Sequence, residues 1–89
     1  MYFVYILMSR SDQKYYIGFT DEVEGRLKRH NQGSVPSTRN RRPLDLIYYE
    51  AYVDKRDALG REVFLKSGSG HRFISKQLKH YLSMGTRVP

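Results

Sequence analysis

Five side chains in this 89-residue chain have types and spacings that suit hydrolysis of a phosphodiester: Tyr5, Tyr16, Arg26, His30 and Glu62. Such a reaction needs a cation on the non-bridging oxygens, a group that orients or deprotonates water, and usually a metal that stabilises charge on the leaving oxygen. Arg26 meets the first need, because a planar, permanently charged fork matches phosphate geometry. His30, one helical turn later, could hold a proton or a phosphate contact. Glu62 is the acidic residue on an evident apolar stripe and therefore the metal-ligand candidate, since Mg²⁺ commonly takes one or two protein carboxylates and completes its shell with water and phosphate. Tyr5 and Tyr16 gain interest only beside these groups, because a phenol with a pKa of about 10 is a poor base unless nearby positive charge lowers it. Each residue also has a plainer alternative. Glu62 could form a surface ion pair with Lys66, Arg26 could snorkel from the edge of a stripe, His30 could be a satisfied core histidine, and tyrosines are ordinary strand residues.

The elements that must position these groups can be read from pattern. Tyr2 to Met8 is continuously apolar and rich in aromatic and β-branched residues, the mark of a strand buried on both faces and central in its sheet. Ser9 to Gln13 carries turn chemistry, and Lys14 to Thr20 is close enough to pair as an antiparallel hairpin. Alternation puts Phe3, Tyr5 and Leu7 on one face of the first strand, and Tyr16, Gly18 and Thr20 on one face of the second. Thr20-Asp21 ahead of Glu22 and Glu24 predicts a helix start, with the helix running to about Asn31 and Gly33 stopping it. At about 100° per residue, Arg26 and His30 fall on or beside the Val23 and Leu27 stripe. Residues 33–43 read as a basic, flexible flap. A third strand is expected over Leu44 to Val53, followed by a helix capped by Asp54 that runs to about Lys66, with Ala58, Leu59 and Leu65 inward and Glu62 among them. Ser67 to Gly70 reads as a linker, and the spacing from Phe73 to Leu82 as a last amphipathic helix.

The composition bounds what this scaffold can do. The chain is long enough for a single domain, with a core over about 2–82 and a frayed tail over 83–89. The absence of cysteine removes disulfides and thiolate metal sites, favouring a hard divalent cation over zinc. The first apolar run is too short to span a membrane and lacks the features of a secretory signal, so a cytoplasmic protein with no membrane contact is expected. Sixteen Lys and Arg against nine acidic residues give a formal charge of +7, and polyanion binding is the economical explanation. No phosphate-cradling glycine loop, His-Glu-x-x-His or zinc-type spacing competes with this reading.

With these residues in place, the chain resembles the GIY-YIG nuclease domain, specifically its short single-domain bacterial branch, over about residues 2–82. Phe3-Val4-Tyr5 stands at the first motif, Tyr16-Ile17-Gly18 reproduces the second, and Arg26, His30-Asn31 and Glu62 follow in order. Phe3 departs from the glycine of the name motif but leaves Tyr5 in place. The resemblance implies an α+β fold, a three-stranded antiparallel sheet flanked by about three helices in the order β-β-α-β-α-α. It also implies a metal-dependent DNA endonuclease acting with one Mg²⁺ or Mn²⁺ per site. Position by position, Tyr5 and Tyr16 would orient or activate water, Arg26 would bind the scissile phosphate, His30 would assist proton transfer and Glu62 would hold the metal. Nucleic-acid contacts are expected from Lys14, Arg29, Asn31, Thr38, Arg39, Arg41, Arg42 and Lys66. The substrate would be DNA, branched or single-stranded at its ends, or chosen by a protein partner in repair or processing. The alternative is a non-catalytic nucleic-acid-binding module that keeps the scaffold.

Overall fold

The computed structural model describes residues 1–84; the last five residues of the expected tail lie outside this range. The order is β1 (Tyr2–Ser9), β2 (Tyr15–Thr20), α1 (Val23–Asn31), β3 (Leu44–Tyr52), α2 (Lys55–Leu65), α3 (Gly68–Gln77) and α4 (Lys79–Leu82), with a single 3₁₀ turn at Arg39–Arg41. The three strands form an antiparallel sheet in the order β2-β1-β3, so the expected fold class holds and the most apolar strand is the central one. Val4 to Met8 are all buried, because β1 is covered on both faces.

The two faces serve different helices. Val4, Ile6 and Ile17 pack against Ala58, Leu65 and Ile74, which places α2 and α3 on one side. Tyr5, Leu7 and Leu44 pack with Tyr16, Leu27 and Leu46, which places α1 on the other. This helix–sheet–helix layering buries both faces of a small sheet around one residue alternation. Among the described residues no helix is long and apolar enough to cross a membrane.

Several local expectations are corrected. The cap of α1 is Glu22, whose carboxylate accepts from the Gly25 N–H, while Thr20 Oγ1 accepts from the Glu22 N–H one step earlier. Leu59 is exposed rather than inward, since the buried phase of α2 runs through Ala58 and Leu65. The Ser67-to-Gly70 segment is no linker: Ser67 caps α3 by accepting from Gly70 N–H, and glycine is required at 70 because a Cβ there would lie 2.0 Å from the Phe64 carbonyl oxygen. The basic segment after α1 is also no free flap. Val35 and Thr38 are buried anchors, Ser9 Oγ donates to the Arg41 carbonyl at 2.6 Å, and Asn31 exchanges two hydrogen bonds with the Leu44 backbone. A segment that buries an apolar side chain and satisfies its backbone polar groups is held as firmly as a regular element.

Candidate functional site

The first and second motifs meet across the sheet. In the antiparallel register Tyr5 faces Gly18 and Leu7 faces Tyr16, so both phenols rise on the α1 side two register positions apart, with ring centroids 6.3 Å from each other. Gly18 is small for a physical reason: a Cβ there would come within 2.5 Å of the Tyr5 ring and hydroxyl. The strand thus makes room for the phenol.

Arg26 and His30 converge on that phenol from α1, four residues and one turn apart. Arg26 Nε donates to the Tyr5 oxygen at 3.2 Å, and the Tyr5 hydroxyl lies 2.9 Å from His30 Nε2. On the far side of the ring, His30 Nδ1 is 2.7 Å from Thr38 Oγ1. The Tyr16 ring meets the same imidazole edge-on at 5.0 Å. His30 and Thr38 are fully buried and Tyr5 nearly so, whereas Arg26 and Tyr16 keep partial exposure.

Electrostatics fixes protonation. Burial lowers the His30 pKa to about 4, assisted by the positive charges of Arg26 and Arg29, so the ring is neutral at physiological pH. The Tyr5 oxygen accepts from Arg26, leaving its O–H to donate to Nε2; Nδ1–H then donates to Thr38 Oγ1, which assigns the tautomer. Burial raises the Tyr5 pKa, against the lowering effect of Arg26, so this phenol stays protonated. The Arg26 cation is favoured chiefly by its hydrogen bond to Tyr5, and Tyr16 adds to it.

Glu62 lies on α2, in the layer across the sheet from α1. It lies one turn from both Ala58 and Leu65 on α2, with its side chain 20 % exposed, and it forms the i,i+4 ion pair with Lys66 at 3.0 Å that was its plainer alternative. Its charge contributes to raising the Tyr5 pKa. Among the described residues no three His, Cys, Asp or Glu side chains gather into an ion cage. A lone, partly exposed carboxylate suits a hard cation whose remaining ligands are water and substrate phosphate.

The expected nucleic-acid contacts divide. Lys14, Arg29, Arg39 and Arg42 are exposed on the surface, and Lys66 is exposed but paired with Glu62. Three others are corrected. Thr38 is buried against His30, and Asn31 clamps the Leu44 backbone with both ends of its amide. Arg41 is tied to Asp12 at 2.7 Å and to the carbonyls of Lys14 and Tyr15, and this hydrogen bond holds the Asp12 carboxyl down at about 2. Hydrogen-bonding side chains in a basic segment look alike in sequence whether they face solvent or pin the chain.

A feature that the sequence reading missed adjoins Arg26. A cavity of about 330 Å³ opens at the end of the sheet, lined by Tyr2, Phe19, Thr20, Asp21, Arg26, Arg29 and Lys55. Four elements contribute to it, which is why spacing along the chain gave no sign of it.

The chain matches known proteins over most of its length. The family model for the GIY-YIG catalytic domain matches residues 1–75. A UPF0213 protein of Lactiplantibacillus plantarum is 42 % identical over 85 residues, covering 92 % of this chain and 78 % of that protein. A UPF0213 protein of Lacticaseibacillus paracasei is 40 % identical over 72 residues, 80 % of either chain. The solution NMR structure of a UPF0213 protein from Bacillus halodurans superposes with a TM-score of 0.53 at 30 % identity, covering 98 % of this chain and 92 % of that one.

Proposed function

The chain belongs to the GIY-YIG family, among its UPF0213 members, and from that premise we propose that it is an endonuclease that hydrolyses DNA phosphodiester bonds with the help of one divalent ion. The observation that carries this reading is the single cluster in which Arg26 and His30 grip the Tyr5 phenol beside Tyr16, within the field of Glu62. An arginine and a neutral histidine bound to one buried phenol beside a second phenol make the kind of charged, pKa-perturbed cluster that is found at functional sites.

The roles follow from exposure and protonation. Arg26, partly exposed and held by Tyr5, presents a permanent positive charge to the scissile phosphate. Tyr5 is buried and protonated, so its task is to aim Arg26 rather than to take a proton from water. Tyr16 is the phenol with access to solvent and the one placed to orient the attacking water. His30, buried and neutral, holds the Tyr5 hydroxyl in one direction and takes its orientation from Thr38. Glu62 would hold Mg²⁺ or Mn²⁺, and the ion when bound would supply charge stabilisation at the leaving oxygen. Charge and the exposed Arg39 and Arg42 support DNA as the polyanion, with structure-directed or partner-directed cleavage in repair or processing as the setting.

The test is incubation of purified protein with Mg²⁺ or Mn²⁺ and labelled branched, nicked and linear DNAs. Glu62→Gln and Arg26→Lys are expected to lower cleavage by about 10²-fold or more while leaving the fold intact. Equal cleavage by wild type and Glu62→Gln would overturn the assignment. Salt-sensitive DNA binding with no cleavage by the wild type would favour the non-catalytic binding module.

A further inference from the structure

We propose that the cavity beside Arg26 is a subsite for one unpaired nucleotide flanking the scissile phosphate, so that the preferred substrate carries a single-stranded segment at the cut. This inference rests on the reading of Arg26 as the phosphate clamp. Three kinds of group converge on the cavity, each suited to a different part of a nucleotide.

The first is positive charge. Arg26 and Arg29 from α1 and Lys55 at the start of α2 line the cavity, and among the described residues none of the three is ion-paired. Like charges around one concavity repel, and a polyanion backbone relieves that repulsion. The second is aromatic surface. Tyr2 and Phe19 lie with their rings 11° from parallel and centroids 6.1 Å apart, and the Lys55 ammonium stands 5.9 Å from the Phe19 centroid. Flat, partly exposed rings next to cations form a stacking platform for a base. The third is Asp21, which would repel a bare phosphate but can accept hydrogen bonds from the amino group of a base. Cations and a carboxylate in one cavity therefore orient a nucleotide, its phosphate toward Arg26 and Arg29 and its base toward the rings and Asp21.

Position makes this a part of the cleavage site rather than a separate patch. Arg26 lines the cavity and also donates to the Tyr5 hydroxyl, so a nucleotide seated there is next to the phosphate that Arg26 would clamp. A base that is paired and stacked within a duplex cannot reach the rings without being unstacked, at a cost of a few kcal/mol. An already unpaired nucleotide avoids that cost.

The experiment measures fluorescence anisotropy of labelled DNAs in EDTA, so binding is read without cleavage. The probes are a short single strand, a blunt duplex, a flapped duplex, and flapped duplexes with one abasic position moved stepwise from the junction. Wild type is expected to bind the single strand and flap about tenfold more tightly than the blunt duplex. Tyr2→Leu should lose about tenfold on unpaired DNA and little on the blunt duplex, while Tyr2→Phe, which keeps the ring, should restore binding. One abasic position should cost as much as Tyr2→Leu, and the two changes together no more than either alone. Lys55→Met, an exposed change that leaves the fold in place, should flatten the single-strand dependence of log affinity on log salt by about 0.7. Equal losses on blunt duplex and single strand, or an abasic walk without a sensitive position, would overturn the subsite. If the binding pattern holds while the wild type fails to cleave with metal, the subsite stands and the nuclease reading falls; cleavage without the pattern removes the subsite alone.

Discussion

A histidine that stays neutral in a site crowded with arginine gives the tyrosine beside it one fixed hydrogen-bond partner. It also makes stability depend on pH in a predictable direction. The unfolded chain protonates His30 near pH 6.5, about the ordinary value, but the fold does so only at about 4, so the unfolded state binds more protons in between. The stabilisation is complete above about pH 6.5 and fades as pH falls toward 4. Urea midpoints measured from pH 7.5 to 4.5 should therefore decline more steeply for wild type than for His30→Gln; parallel curves would refute the assignment. At this scale the sequence was informative where periodicity speaks. Alternation grouped Tyr5 with Phe3 and Leu7 on β1 and Tyr16 with Gly18 and Thr20 on β2, and helical spacing turned Arg26 and His30 to the sheet; that the two phenols share a face needed the strand register. It was silent on Thr38, whose bond to His30 joins residues in a helix and an aperiodic segment, and so Thr38 read as a surface contact.

The placement of Glu62 depends on how α2 is seated, and a second polar cluster seats it. Glu50 on β3 accepts from the Tyr48 and Tyr52 hydroxyls, both at 2.6 Å, and from Arg61 Nε and Nη2 at 2.8 and 3.1 Å. Arg61 in turn lies over the Phe64 and Phe73 rings at 4.9 and 4.5 Å, tying β3, α2 and α3 together. Burial alone would raise the Glu50 pKa, but Arg61 and the two phenols outweigh it and keep the carboxylate ionised. Burial and the neighbouring carboxylate push both tyrosines up to about 12. Glu50→Gln should cost about 2 kcal/mol in denaturant unfolding, the scale of charge-assisted hydrogen bonds lost from a partly buried group; a change below about 0.5 kcal/mol would show that the network is incidental to stability. Element boundaries were legible because caps and breakers are local: Asp54 accepts from the Arg56 N–H and opens α2 as its residue type predicts. The phase of α2 at Leu59 and the first turn of α3 were not, because they are set by the packing of one helix on another. Gly70 illustrates this, since the close approach of the Phe64 carbonyl is what requires glycine at that position.

For the whole molecule, the charge of +7 is unevenly available. Arg39 is exposed without an ion pair among the described residues, whereas Arg41 is committed to Asp12. On duplex DNA, Arg39→Ala should reduce the slope of log affinity against log salt by about 0.9, and Arg41→Ala should leave it nearly unchanged. Anisotropy titrations across a salt series measure both, and equal slopes for the two variants would contradict this division. The bonds of Arg41 also bear on how the segment before β3 is joined to the hairpin. Its Nη2 donates to the Lys14 and Tyr15 carbonyls at 3.0 and 3.1 Å, while its own carbonyl accepts from Ser9 Oγ at 2.6 Å, so one residue is tied to both strands of the hairpin, by side chain to β2 and by backbone to β1. A segment pinned in this way opens together with the hairpin rather than by itself. Arg41→Ala should therefore speed hydrogen exchange of the amides of residues 38–41 while those of α2 keep their rates; unchanged exchange in the segment would contradict this role.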